Sequence, residues 1–118
     1  MADTGFVDLL PRGAKRFDIN SSASLIDVQA PSDSTHAIRI IALCISVGAV
    51  GALTFQSNTT VLGHYTFGAA ATALGLVLDR NADGWFQCNK GEDFKIGNAG
   101  TLAVTGFGVY VEIGNQTP

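Results

Sequence analysis

The stretch "GFGVYVEI", residues 106 to 113, places Phe107, Val109, Val111 and Ile113 on one side of the chain and Gly106, Gly108, Tyr110 and Glu112 on the other. Successive side chains of a β-strand point to opposite faces, so this alternation predicts a strand, the cleanest in the sequence. A second stretch, "HAIRIIALCISV" (residues 36–47), is rich in isoleucine and apolar at both odd and even positions. That pattern predicts a strand covered on both sides. One cover is expected to be a neighbouring subunit, which makes Ile38, Ile40, Ile41, Leu43 and Ile45 the candidate oligomer interface.

Further strands follow from these two. "SLIDVQ" sets Ile26 and Val28 against Asp27 and Gln29, and "ALTFQS" turns Leu53 and Phe55 inward. After the turn residues "NTT", the stretch "VLGHYTF" aligns Val61, Tyr65 and Phe67. The Ala-rich "GAAATALGLVLD" reads as a loop or helical turn leading into a strand, with Leu74, Leu76 and Leu78 at every second position. "WFQCN" and "DFKI" are short strands separated by "KGE", and "NAG" turns the chain again. About eight strands with turn signals every 8 to 12 residues predict an all-β, single-domain sandwich, and a jelly roll fits that number best. With 14 glycines, several of them inside strands, bulges or close backbone approaches are expected.

Residues 1–20 show no such period. They mix Pro11, Gly13, both charge signs and the apolar pair Leu9 and Leu10, and they predict an extended N-terminal arm ahead of a sandwich domain at residues 21–118. A chain of 118 residues supports one core. Apolar residues make up 47% and charged residues only 14%, a balance that suits a protein hiding part of its surface against neighbours. The net charge of −3 offers nucleic acid no general attraction, and the one basic cluster is Arg12, Lys15 and Arg16. The opening "MADTGFVDLL" carries acids where a secretory signal has a basic region, so export by that route is not expected. The longest uncharged apolar run, Ile40 to Phe55, is shorter than the roughly 20 residues a membrane-spanning helix needs and contains Gly48 and Gly51.

Chemistry-bearing residues are sparse. Asp79, Asn81, Asp83 and Gly84 match the D-x-N-x-D-G opening of calcium loops, but the twelfth position is Lys90, where an EF-hand needs a bidentate glutamate. A tight turn between strands is the expected reading. His36 and His64 lie in different predicted strands with no third ligand at a recognisable spacing. Cys44 and Cys88 are expected to be unpaired, and Glu92 and Asp93 to be solvated. No catalytic set, phosphate-cradling loop, metal site or cofactor motif emerges, so no enzyme is expected.

The stretches "ALTFQSNTTVL" (52–62), "TFGAAATALGLVL" (66–78), "NADGWFQCNKGEDFKI" (81–96) and "GFGVYVEI" (106–113) together resemble small tailed-bacteriophage head decoration, or cement, proteins. The resemblance covers residues 45–113 and implies a homotrimeric β-sandwich on the exterior of a virion capsid, made in the host cytoplasm, with the phage major capsid protein as partner. In that setting Leu9, Leu10, Arg12, Lys15, Arg16 and Phe17 of the arm are the expected capsid contacts. The rival reading is a carbohydrate-binding module or fibre-tip domain, with Trp85, Tyr110 and His64 lining a sugar site on the same fold.

Overall fold

The computed structural model describes residues 13–68 and 75–114. Nine strands follow in order: β1 (Lys15–Ser21), β2 (Leu25–Gln29), β3 (Ala37–Val47), β4 (Gly51–Ser57), β5 (Thr60–Phe67), β6 (Gly75–Leu78), β7 (Phe86–Gln87), β8 (Phe94–Gly97) and β9 (Val104–Ile113). They form two antiparallel sheets packed face to face, and no helix is present among the described residues. One sheet runs β1-β9-β3-β6, with β7 on the same edge of β3 as β6; the other runs β2-β8-β4-β5. The pairs β1 with β9, β2 with β8, β3 with β6 and β4 with β5 are nested about the turn at Asn58 and Thr59. The expected all-β sandwich is therefore present.

Strand β9 alternates as its sequence suggests, but its inward side is the glycine side. Gly108 pairs with Phe17 on β1 and Leu43 on β3, and Gly106 pairs with Ile19 and Ile45. The four large side chains are buried and close over the space the glycines leave. A Cβ on Gly108 would strike the Phe17 ring and stand 2.8 Å from the Ala42 carbonyl oxygen. Gly106 has φ +152°, and a Cβ there would run into the Cys44 carbonyl. These are the close approaches that glycines inside strands allow. Phe107, from the side rich in apolar residues, faces out and is 41% exposed.

Strand β3 contains a bulge between Ile40 and Ala42. An extra residue shifts the two-residue period by one, so the inward set changes from Ile38 and Ile40 to Leu43, Ile45 and Val47. The reading of β3 as a strand with two covered apolar faces is thus corrected: one face is apolar throughout, out of phase with itself. Ile38, Ile40, Ile41, Leu43 and Ile45 are each at most 2% exposed within a single chain, so none can form the core of a subunit interface.

The end of the predicted arm is a strand instead. Residues 15–21 are β1, paired with β9 from Lys15↔Tyr110 to Ser21↔Val104. Phe17, expected at a capsid contact, is 4% exposed in the core, whereas Lys15 and Arg16 are exposed. Leu9, Leu10 and Arg12 lie outside the described residues. Phe17 also begins an aromatic series joining the two sheets, with ring centroids 6.0 Å from Tyr110 and 6.1 Å from Phe94. Phe94 stacks at 6.4 Å on Phe55, which lies 4.9 Å from Phe86.

Polar side chains fasten the loops at the sandwich ends. Asn98, fully buried, donates to the carbonyls of Ala23 and Leu102 and accepts from the Leu102 N–H. Buried Ser57 donates to Glu92 at 2.6 Å and accepts from the Asn89 N–H. Glu112 of β9 accepts from the Ser32 N–H and hydroxyl at 2.8 and 2.7 Å and from Lys15 at 3.2 Å. Those bonds favour the ionised carboxylate, the Ser32 N–H contributing most, and hold Glu112 below its ordinary pKa.

Two stability outcomes follow. Phe17→Ala should cost about 3–5 kcal/mol in urea unfolding, the loss typical of a truncated core aromatic, where an arm residue would cost almost nothing. For Glu112, a depressed carboxylate pKa stabilises the fold above the unfolded value near 4.3 and ceases to do so as pH falls through the folded value. The stability gap between wild type and Glu112→Gln should accordingly be largest at neutral pH and shrink below about pH 4. A gap that stays constant with pH would show that the carboxylate is not held in its charged form.

Candidate functional site

The outer face of the five-stranded sheet is built by strand register. Paired residues of neighbouring strands share a face, so one row across the sheet reads Asp18, Phe107, Cys44 and Val77. The next row reads Arg16, Val109 and Ala42, with Asp79 at the end of β6 beside them. Val77 is 65% exposed, while Val109, Ala42 and Cys44 are half-buried. Together with Phe107 they enclose a shallow, mainly apolar depression of about 270 Å³, whose rim includes Asp79 and Arg80. The Arg16 guanidinium lies 4.5 Å from the Phe107 ring centroid and 3.8 Å from the Asp18 carboxylate.

Fully burying a side chain such as Phe or Val stabilises by roughly 1.5–3 kcal/mol, so covering a stripe that carries Phe107, Val77 and Val109 would be favourable. Among its described residues the one nucleophile is the Cys44 thiol. The surface was not legible as such, because the apolar side of "GFGVYVEI" resembles a core-facing side. The glycines at 106 and 108 were the available signal: they mark the side against which β1 and β3 close.

The sequence-predicted chemical groups are scattered. At Asp79–Gly84, the Asn81 side chain accepts from the Asp83 N–H at 3.0 Å, and the Gly84 N–H donates to the Asn81 carbonyl at 2.8 Å. Gly84 adopts φ +89°, and the Trp85 indole N–H donates to the Asp79 carbonyl at 2.6 Å. The segment is a side-chain-supported turn, as its composition suggests. His36 Nδ1 is 2.7 Å from Asp33 Oδ1, whereas His64 sits exposed on β5 opposite Thr54. The Thr35 hydroxyl, followed by His36, holds the Asp33 carboxyl far below the usual carboxylate range. No group of three His, Cys, Asp or Glu suited to a metal occurs among the described residues.

Glu92 is half-buried and engaged by Ser57 and Asn89, not simply solvated as expected. Asp93 has a raised pKa, from burial first and then from the neighbouring Asp27. Trp85 is 42% exposed, but Tyr110 is only 5% exposed and packs on Phe17, so Trp85, Tyr110 and His64 do not form a common sugar platform. Among the described residues no helix is long and apolar enough to cross a membrane. Comparisons of the chain with protein-family models, curated proteins and solved structures found no match.

Cys44 and Cys88 are both free thiols in different surroundings. Burial pushes the Cys88 pKa up to about 11, with Glu92 and Asp93 adding to it, while Cys44 borders the depression. A thiol reacts as its thiolate, so Cys88 should be inert in the folded protein. A maleimide should label Cys44 alone in dilute native protein and both thiols in unreduced, denatured protein. Labelling of Cys88 first would contradict the burial just described.

Proposed function

We propose that the protein is a virion structural protein: an oligomeric β-sandwich of jelly-roll type that decorates or cements the exterior of a phage capsid. The observation that carries the assembly reading is the apolar outer face centred on Phe107, Cys44 and Val77, a surface fitted for association and not for chemistry. The jelly-roll assignment is supported by the nested strand pairs and by the two four-strand paths β1-β9-β3-β6 and β2-β8-β4-β5. The phage-head assignment is supported by the motif resemblance over residues 45–113. Leu9, Leu10 and Arg12, ahead of β1, supply the grip on the major capsid protein, and exposed Lys15 and Arg16 extend it. Many weak sites on one shell then add by avidity.

Purified protein mixed with phage heads assembled without it should sediment with the heads to a saturating ratio. Deleting residues 2–12, which spares β1, should leave the unfolding midpoint nearly unchanged and weaken sedimentation at least tenfold, a loss of about 1.4 kcal/mol or more. Failure of the full chain to sediment with heads, together with binding on a glycan array, would reverse the assignment in favour of sugar recognition.

A further inference from the structure

We infer that residues 5–10 of the same chain, "GFVDLL", lie extended across the outer face of the five-stranded sheet and strap its apolar depression until a capsid draws them off. The inference rests on the proposed function, which gives this segment its capsid partner, and adds where the segment lies in the free protein. Path, pattern and proximity each lead there.

The path starts at Gly13, the first described residue, ahead of Arg16 on β1. Gly13 has φ +74°, in the left-handed region that turns a chain, and a Cβ there would meet nothing within 4 Å, so the way off the line of β1 is open. Arg16 shares its row with Val109 and Ala42, and the next row, through Asp18, holds Phe107, Cys44 and Val77. At about 3.3 Å per residue along the strands and about 4.8 Å between them, Cys44 lies roughly 20 Å from Gly13. An extended chain from Gly13 back to Val7 spans about 20 Å as well.

The pattern fits the face. In an extended chain Val7 and Leu9 point to one side, and Phe6, Asp8 and Leu10 to the other. Val7 and Leu9 are then about 7 Å apart, as are the two rows of the face. Leu9 falls over Val109, and Val7 over Cys44 and the exposed Val77. Asp8, the one charge of the segment, stays in water, and Phe6 and Leu10 face outward, where an incoming capsid surface meets them first.

Proximity selects the chain's own segment over any separate molecule in dilute solution. A tether of a few residues holds the segment at an effective concentration in the millimolar range, far above that of a free copy. The conformational freedom lost in extending the segment offsets most of what covering two aliphatic side chains supplies. The strap therefore adds little to the unfolding midpoint and yields to a stronger partner. Because the contact lies within one chain, it imposes no symmetry on the oligomer.

The test is disulfide formation with the native Cys44 in full-length variants under mild oxidation, read by peptide mapping and non-reducing gels. Val7→Cys should link to Cys44 of its own chain about fivefold faster than Asp8→Cys, whose side chain points away. Equal rates would mean a segment that only collides with the face, and a link between chains would mean that it covers a neighbour. Either result, or no link at all, overturns the inference. Deleting residues 2–12 should also speed maleimide labelling of Cys44 about threefold, because the thiol is uncovered, and an unchanged rate would overturn the strap as well. Sedimentation with heads keeps the two readings separate. The linked Val7→Cys protein should lose sedimentation and recover it on reduction. Preferential linkage of Val7→Cys in a protein whose wild type never sediments loses only the capsid assignment, and a wild type that sediments without preferential linkage loses only the strap.

Discussion

The ring of Phe17 rests where β9 has no side chain, and much of the architecture depends on that seat. With Gly108 and Gly106 on its inner side, β9 contributes backbone and little volume at the middle of the sheet. Phe17 and Ile19 close in from β1, and Leu43 and Ile45 from β3. Phe17 reaches Phe94 of the opposite sheet, so the same contact that seals the first sheet also ties the two layers. Interiors pack near crystal density, so a methyl added at Gly108 would displace either the ring or the Ala42 carbonyl and cost about 1–3 kcal/mol. The alternation of β9 then has only one place for its apolar residues: Phe107 and Val109 must face outward.

Strands β2 and β4 were legible because their inward residues fit one pattern: Ile26, Leu53 and Phe55 are buried where alternation puts them. What was not legible had definite causes. Strand β1 carries the period-two pattern in Phe17 and Ile19, but charged neighbours and the nearby Pro11 and Gly13 make that stretch look like a tail. In β9 the pattern was correct and its polarity reversed, because hydrophobicity identifies the apolar side and cannot say which side a neighbouring ring will occupy. The tight turn at Asn81 to Gly84 was legible because short-range turn chemistry does not depend on tertiary packing.

The bulge in β3 explains the most misleading stretch. "HAIRIIALCISV" looks apolar on two faces because it joins two half-strands of opposite phase, with the doubled Ile40 and Ile41 at the junction. Without the extra residue, the phase of Ile38 and Ile40 would continue inward as Ala42, Cys44 and Ser46, leaving Leu43, Ile45 and Val47 to solvent. With it, the large aliphatic residues stay inside along the whole strand. A sequence window that averages over the bulge sees two covered faces and places a subunit interface on residues that belong to the core.

The same phase shift shapes the exposed face of the sheet. Small residues on the outside of β3 have no advantage for a strand that only needs to be wet; charged or polar residues would serve solubility better. Here Ala42 and Cys44 lie beside Phe107 and Val109, so the outer surface has relief as well as low polarity. The glycines of β9 send the large residues outward and the bulge of β3 sends the small ones outward next to them. Two internal packing requirements, one on each central strand, thus leave an exposed face with projections and a depression side by side. A partner surface of complementary shape can bury that face without disturbing the core beneath it, because every residue that holds the sheets together points the other way.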